Sequence, residues 1–171
     1  MTGPSLSDEL LPGNDCFGCG PANPHGLHIT VRLDPANPDC ILGEFHPQPH
    51  MTGFPGITHG GAIYTALDCM ASWSGMVLRN TKAIWILRSA TMKYHRPAFQ
   101  GRTLALSATV HVESDDLWTA IEVRAEARDA GNILLAEGAF KVIPLPPEKF
   151  KAMTGIPELP GNWEKLFSGE G

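Results

Sequence analysis

Four residues stand out by type and spacing: His59, Gly60 and Gly61 at the start of an apolar run, and Asp68 within it. Asp68 is the only carboxylate between His59 and Arg79. A buried carboxylate without a partner costs several kcal/mol, so it implies either a hydrogen-bonding neighbour or a chemical task, that of a base or a nucleophile. Gly60 and Gly61 suggest the complementary role. The first N–H groups of a helix have no partner within it and sit at the positive end of its dipole, where they can hold an oxygen that gains negative charge. Glycine leaves the backbone open to close approach. Gly-Gly alone more often marks a plain turn. His59 is of a type that exchanges protons near neutral pH. Beside a helix N-terminus, however, a cationic imidazole is repelled, and the residue is read as shaping the loop and the helix start.

These residues need a helix and something to enclose it. From residue 60 to about 78, Ile63, Ala66, Leu67, Met70, Ala71, Trp73, Met76 and Val77 leave no broad polar face, so the helix is expected to be wrapped on all sides. Period-two patterning predicts strands at 27–33 and 41–46 before it and at 83–94, 103–113, 117–128 and 133–143 after it. The stretch 46–58 reads as a loop. Short connections, among them Asp129-Ala130-Gly131-Asn132, predict antiparallel neighbours among the four later strands. The fold class is therefore α+β, an antiparallel sheet around one long central helix. Residues 1–26 read as a loop segment, 27–145 as the domain, and 146–171 as a Pro-rich tail with a short helix at 147–153.

At 171 residues, with a net charge of −5 and a sequence pI near 5.7, the chain has the size of one domain and no basic face for nucleic acid. Its first residues lack the pattern of a signal peptide and its longest apolar stretch is too short for a membrane span, which predicts a soluble, cytoplasmic protein with no membrane partner. Of four cysteines, only Cys16 and Cys19 form a Cys-x-x-Cys pair. A zinc site would require Cys40 and His25 or His28 to converge on them. The expectation is reduced cysteines in a structured loop, with no metal and no cofactor.

The run His59-Gly60-Gly61-Ala62-Ile63-Tyr64-Thr65-Ala66-Leu67-Asp68 resembles the PaaI-type hotdog thioesterases and their mammalian relatives. So do Cys16-Phe17-Gly18-Cys19-Gly20-Pro21-Ala22-Asn23-Pro24-His25-Gly26-Leu27, Gly53-Phe54-Pro55-Gly56-Ile57-Thr58 and Lys93-Tyr94-His95-Arg96-Pro97. The resemblance implies a hotdog fold and hydrolysis of an acyl-CoA thioester. Asp68 would be general base or nucleophile, and the Gly60 N–H would polarise the carbonyl. His59 and Gly61 stand beside them at the helix start. Family members often carry a Ser or Thr on the next strand to hold the water. The aligned position here is Leu87, which leaves Ser89 and Thr91, of the same strand parity, as candidates.

Arg96 belongs to a group with Arg79, Lys82, Arg88, Lys93 and Arg102 that offers a cationic rim to CoA phosphates. Phe54, Tyr64, Trp73 and Trp85 are candidates for an acyl pocket. Gly60 and Asp68, eight residues apart, are ~12 Å apart along a helix and cannot meet at one carbonyl. Two subunits related by a two-fold axis, with antiparallel helices, would bring one chain's Asp68 to the other's Gly60. The resemblance implies the same assembly, a homodimer or a dimer of dimers (a homotetramer) with shared sites. Two other readings remain open: a hotdog dehydratase with His59 as base, and a non-catalytic acyl-CoA binding module.

Overall fold

The alternating segments fold as strands and the apolar run as the helix they enclose. The computed structural model describes residues 4–111, 115–159, 163 and 167. In chain order the elements are α1 (Leu6–Leu10), β1 (Thr30–Leu33), β2 (Cys40–Phe45), β3 (Thr52–Phe54), β4 (Ile57–Thr58), α2 (Gly60–Leu78), β5 (Ile84–Tyr94), β6 (Leu104–His111), β7 (Ile121–Arg128), β8 (Leu134–Leu145) and α3 (Pro147–Thr154). Residues 112–113, expected at the end of β6, and most of the tail beyond 159 lie outside the described residues.

Six strands form one sheet in the order β1-β2-β6-β7-β8-β5, every pairing antiparallel. On β6 and β7, Leu104, Leu106, Ala108 and Val110 and then Ile121, Val123, Ala125 and Ala127 are buried, while the residues between them are more exposed. This one-sided burial bends the sheet round α2, which packs against β2, β5, β6, β7 and β8. The architecture is the hotdog fold expected from the sequence. No helix among the described residues is long and apolar enough to cross a membrane.

The turn at 129–132 forms as its residues predict. Asp129 Oδ1 accepts from the N–H groups of Gly131 and Ile133, both at 2.9 Å, and Asn132 takes the left-handed conformation, φ 62°. The link between β5 and β6 is different: β5 pairs with β8, so the short connection does not make β5 and β6 neighbours as expected. The link's backbone is bonded instead to the segment before α2. Thr58 N–H donates to Ala98 O at 2.8 Å, Gln100 N–H to Gly56 O at 3.0 Å and Gly101 N–H to Pro47 O at 3.1 Å. That segment is also more ordered than a loop, because Pro55-Gly56, with Gly56 at φ 76°, turns the chain between β3 and β4.

The expected first strand is shortened to β1. His28 takes a positive φ of 52°, and Leu27 and Ile29 donate to Phe17 O and Gly18 O rather than to the sheet. The N-terminal segment, expected to be loop throughout, contains α1. Its N-cap Ser5 accepts at Oγ from Val31 N–H at 2.8 Å and so docks the helix on β1.

Gly75 sets how closely α2 approaches β5. A Cβ built there would lie 2.3 Å from Trp85 Cδ2, and the Trp85 ring is buried with its Nε1–H bonded to Asn80 O at 3.1 Å. In an exposed helix Gly→Ala gains up to ~1 kcal/mol. Overpacking a core costs ~1–3 kcal/mol, and here the obstacle is a pinned ring, so the cost wins. Gly75→Ala is expected to lower stability by ~1–2 kcal/mol, measured by urea denaturation. A variant as stable as the parent would refute this packing account.

Candidate active site

The start of α2 is built by its N-cap. His59 has extended backbone, φ −61° and ψ 134°, and its Nδ1 accepts from Gly61 N–H at 2.9 Å. The ring therefore carries no proton on Nδ1. Gly61 has spent its N–H on this cap, so it is not free for a substrate as the sequence reading supposed. The Gly60 N–H is left: it finds no acceptor among the described residues. The Gly60 carbonyl accepts from Tyr94 Oη at 3.0 Å, and His59 N–H donates to Met51 O at 2.8 Å, which fix the junction of β4 and α2. Phe54, Ile63, His95 and Arg96 share with His59, Gly60 and Tyr94 a cleft of about 600 Å³. An oxygen gaining charge there would meet a free N–H at the positive end of a nineteen-residue helix.

Two turns further on, Asp68 is half-buried and accepts no hydrogen bond among the described residues. The ordinary structural explanation of a buried carboxylate, a local or cross-strand hydrogen bond, is therefore missing. Burial pushes its pKa up to about 6, and the nearby Cys16 sulfur adds to the shift. Asp68 opens into a second cavity, about 290 Å³, whose apolar wall includes Trp73, Met76, Trp85 and Leu87. Of the aromatic residues proposed for an acyl pocket, Trp73 and Trp85 lie here. Phe54 lines the Gly60 cleft, and Tyr64 packs on Phe140 with ring centroids 5.8 Å apart.

Ser89 and Thr91 are not brought to Asp68. A bulge at Arg88 shifts the register of β5, so that Leu87 pairs with buried Val142 but Ser89 pairs with exposed Lys141. The expected parity is thereby reversed: Ser89 and Thr91 are exposed on the face away from α2, Thr91 beside Lys93, Glu122 and Arg124. The cationic rim is divided as well. Arg96 lines the Gly60 cleft, Lys93 lies on the outer face of the sheet, and Arg102 stacks over Phe99 at 5.2 Å.

The family model of the thioesterase superfamily matches residues 55–131. That stretch, 77 of the 171 residues, is similar to the thioesterase superfamily. The matched stretch holds Gly60, Asp68, β5, β6 and β7. Solved structures share the fold. The PaaI protein of E. coli, from the phenylacetic acid degradation operon, is 17% identical with a TM-score of 0.59, over 70% of this chain and 80% of that one. A thioesterase of Haemophilus influenzae is 15% identical with a TM-score of 0.64, over 75% and 85%. A Streptococcus mutans protein solved bound to acetyl CoA is 14% identical with a TM-score of 0.56, over 63% and 82%. No curated protein matches the sequence.

The sequence reading missed the contribution of the chain ends to the Asp68 cavity. Leu11, Asn14, Cys16 and Cys19 reach it from the N-terminal side, and Trp163 and Phe167 from the tail. Apart from Asn14, their apolar character was the only available signal, and no periodicity connects them to α2.

The capping geometry yields a test of His59. Asparagine also caps a helix through its side-chain oxygen, whereas alanine cannot. His59→Asn is expected to melt close to the parent, and His59→Ala to lose ~1 kcal/mol of stability. Equal losses in both, measured by thermal denaturation, would show that the imidazole does more than cap.

Proposed function

We propose that the protein hydrolyses an acyl-CoA thioester to a free acid and CoA, with Asp68 as general base or nucleophile and the N–H of Gly60 as the oxyanion donor. The observation that carries this reading is a carboxylate in an apolar helix, open to a cavity and without a hydrogen bond. Such a group is available to a water molecule or to a carbonyl carbon. Attack on the thioester carbonyl places negative charge on its oxygen, which the Gly60 N–H receives. Collapse then breaks the C–S bond, and the CoA sulfur leaves as thiolate or thiol. The backbone donor is already in place, so stabilising the oxyanion requires little reorganisation.

Gly60 and Asp68 belong to separate cavities and are ~12 Å apart along α2, so one chain does not complete the site. A two-fold pair with antiparallel α2 helices gives two composite sites, each with Asp68 of one chain and Gly60 of the other. Arg96, at the Gly60 cleft, is placed to meet phosphate groups of CoA.

The experiment is an assay of free-thiol release from short, long and aromatic acyl-CoAs. Asp68→Asn is expected to melt cooperatively yet lose ~10²-fold or more in kcat on the best substrate. A parental rate in Asp68→Asn would overturn the assignment, and tight binding without thiol release in the parent would favour a binding module. A second assay addresses the shared site. Gly60 is the first residue of α2, where proline's φ fits, so Gly60→Pro deletes the N–H with little strain. Alone, it and Asp68→Ala are each expected to lose ~10²-fold or more. Co-expressed, they should recover activity that neither shows alone, because one site of the mixed dimer keeps both groups. Verified mixed dimers as inactive as their parents would exclude a shared site.

A further inference from the structure

Cys69, the residue after Asp68, brings its sulfur to the N-terminal loop, and the Sγ atoms of Cys16, Cys19 and Cys69 all lie within 4.8 Å of one another. All four cysteines are free, yet these three form a group that hydrolysis does not use. The residues that a zinc site at Cys16 and Cys19 would have required, Cys40 and His25 or His28, do not converge on them. Cys40 is on β2 with its thiol donating to Ile41 O at 3.4 Å, and His25 lies on the surface beside His50 and His59. The third thiol comes instead from α2.

The loop is built to present its sulfurs. Cys16 N–H donates to Asn14 Oδ1 at 2.9 Å, Gly20 N–H to Cys16 O at 2.9 Å and Ala22 N–H to Asn14 O at 3.0 Å, which closes residues 14–22 into a tight knuckle. Inside it Asn14 Nδ2 donates to Cys19 Sγ at 3.6 Å. This donor suits sulfur that carries negative charge. Gly18 is required here: a Cβ on it would lie 2.3 Å from Cys69 Sγ. The separation of Cys16 Sγ and Cys69 Sγ is 3.8 Å. Two thiolates on one tetrahedral zinc, each at ~2.3 Å, stand ~3.8 Å apart. A disulfide would join two of these sulfurs at ~2 Å and leave the third stranded, whereas a shared cation accounts for all three.

We propose that Cys16, Cys19 and Cys69 bind a thiophilic divalent cation of the zinc class, with a solvent molecule completing the tetrahedron on the side of the cavity shared with Asp68. Ligation replaces the thiol protons, which pass to the buffer. The ion ties the N-terminal loop to α2. This site stands apart from the hydrolytic reading, because it requires only the three thiols and the loop that holds them.

The test uses the full chain, reduced under anaerobic conditions and dialysed against Zn2+ or Co2+. The parent is expected to retain about one equivalent of zinc against a weak chelator, and its cobalt form to show thiolate-to-metal charge transfer with the intense visible bands of tetrahedral cobalt. Cys16→Ser and Cys69→Ser should each fall to background, whereas Cys40→Ser should keep the parental content. Circular dichroism melts separate loss of a ligand from loss of fold. The parent's cobalt spectrum decides the matter even if a variant fails to fold. No retained metal, a weak octahedral cobalt spectrum, or retention undiminished in a folded Cys69→Ser would overturn the proposal. So would a metal-free chain, purified without reductant, whose intact mass is lighter by two hydrogens.

Discussion

Most of the surface of the α2 helix is closed to water. Ile63, Ala66, Leu67, Met70, Ala71, Trp73 and Met76 are buried over more than half of its circumference, which a curved sheet covers, and the stripe of Gly61, Thr65, Asp68 and Ser72 is partly open. Each fully buried Leu, Ile or Met contributes ~1.5–3 kcal/mol, so leaving one side of α2 bare would consume most of the net stability of a domain. The one-sided burial on β6 and β7 and the missing Cβ at Gly75 are answers to that single demand.

A largely enclosed helix has few places where a polar group can be reached, and two on α2 matter for the proposed chemistry. One is its first turn, where His59 spends the Gly61 N–H and leaves that of Gly60. The other is Asp68, where the enclosing wall gives way to the cavity. The burial that builds the fold also raises the pKa of Asp68, so the enclosure that stabilises the fold is also what perturbs the carboxylate of the proposed site. The rigid axis between the two groups fixes their separation, which is why the proposed site draws on a second chain.

Much of this was legible in the sequence because the signals are local. An apolar run with one carboxylate identifies α2, alternation identifies β6 and β7, and Asp129 with Asn132 identifies the turn between β7 and β8. What was hidden depends on distant parts of the chain. Connection length could not show that the link after β5 is held by Pro47, Gly56 and Thr58, and so could not give β8 as the partner of β5. The bulge did leave a trace, since Ala90 and Met92 alternate inward and place Arg88 where an apolar residue belongs. Read against Leu87 alone, Ser89 and Thr91 took the wrong face. Cys69 carried no sign of its partners, because only the fold brings a helix thiol to the N-terminal loop.

The cavity beside Asp68 has walls of two kinds. Trp85 and Leu87 stand on β5, where a change of shape disturbs strand pairing and the seat of α2. Leu11, Trp163 and Phe167 come from the two ends of the chain and belong to no strand. Replacing one of these costs its own burial and little else, so the volume of the cavity can be retuned while the framework stays constant. Under the proposed function, the choice of acyl group would then rest on segments outside the sheet, and two relatives with superimposable sheets would differ in preference for reasons that a comparison of their cores would not reveal.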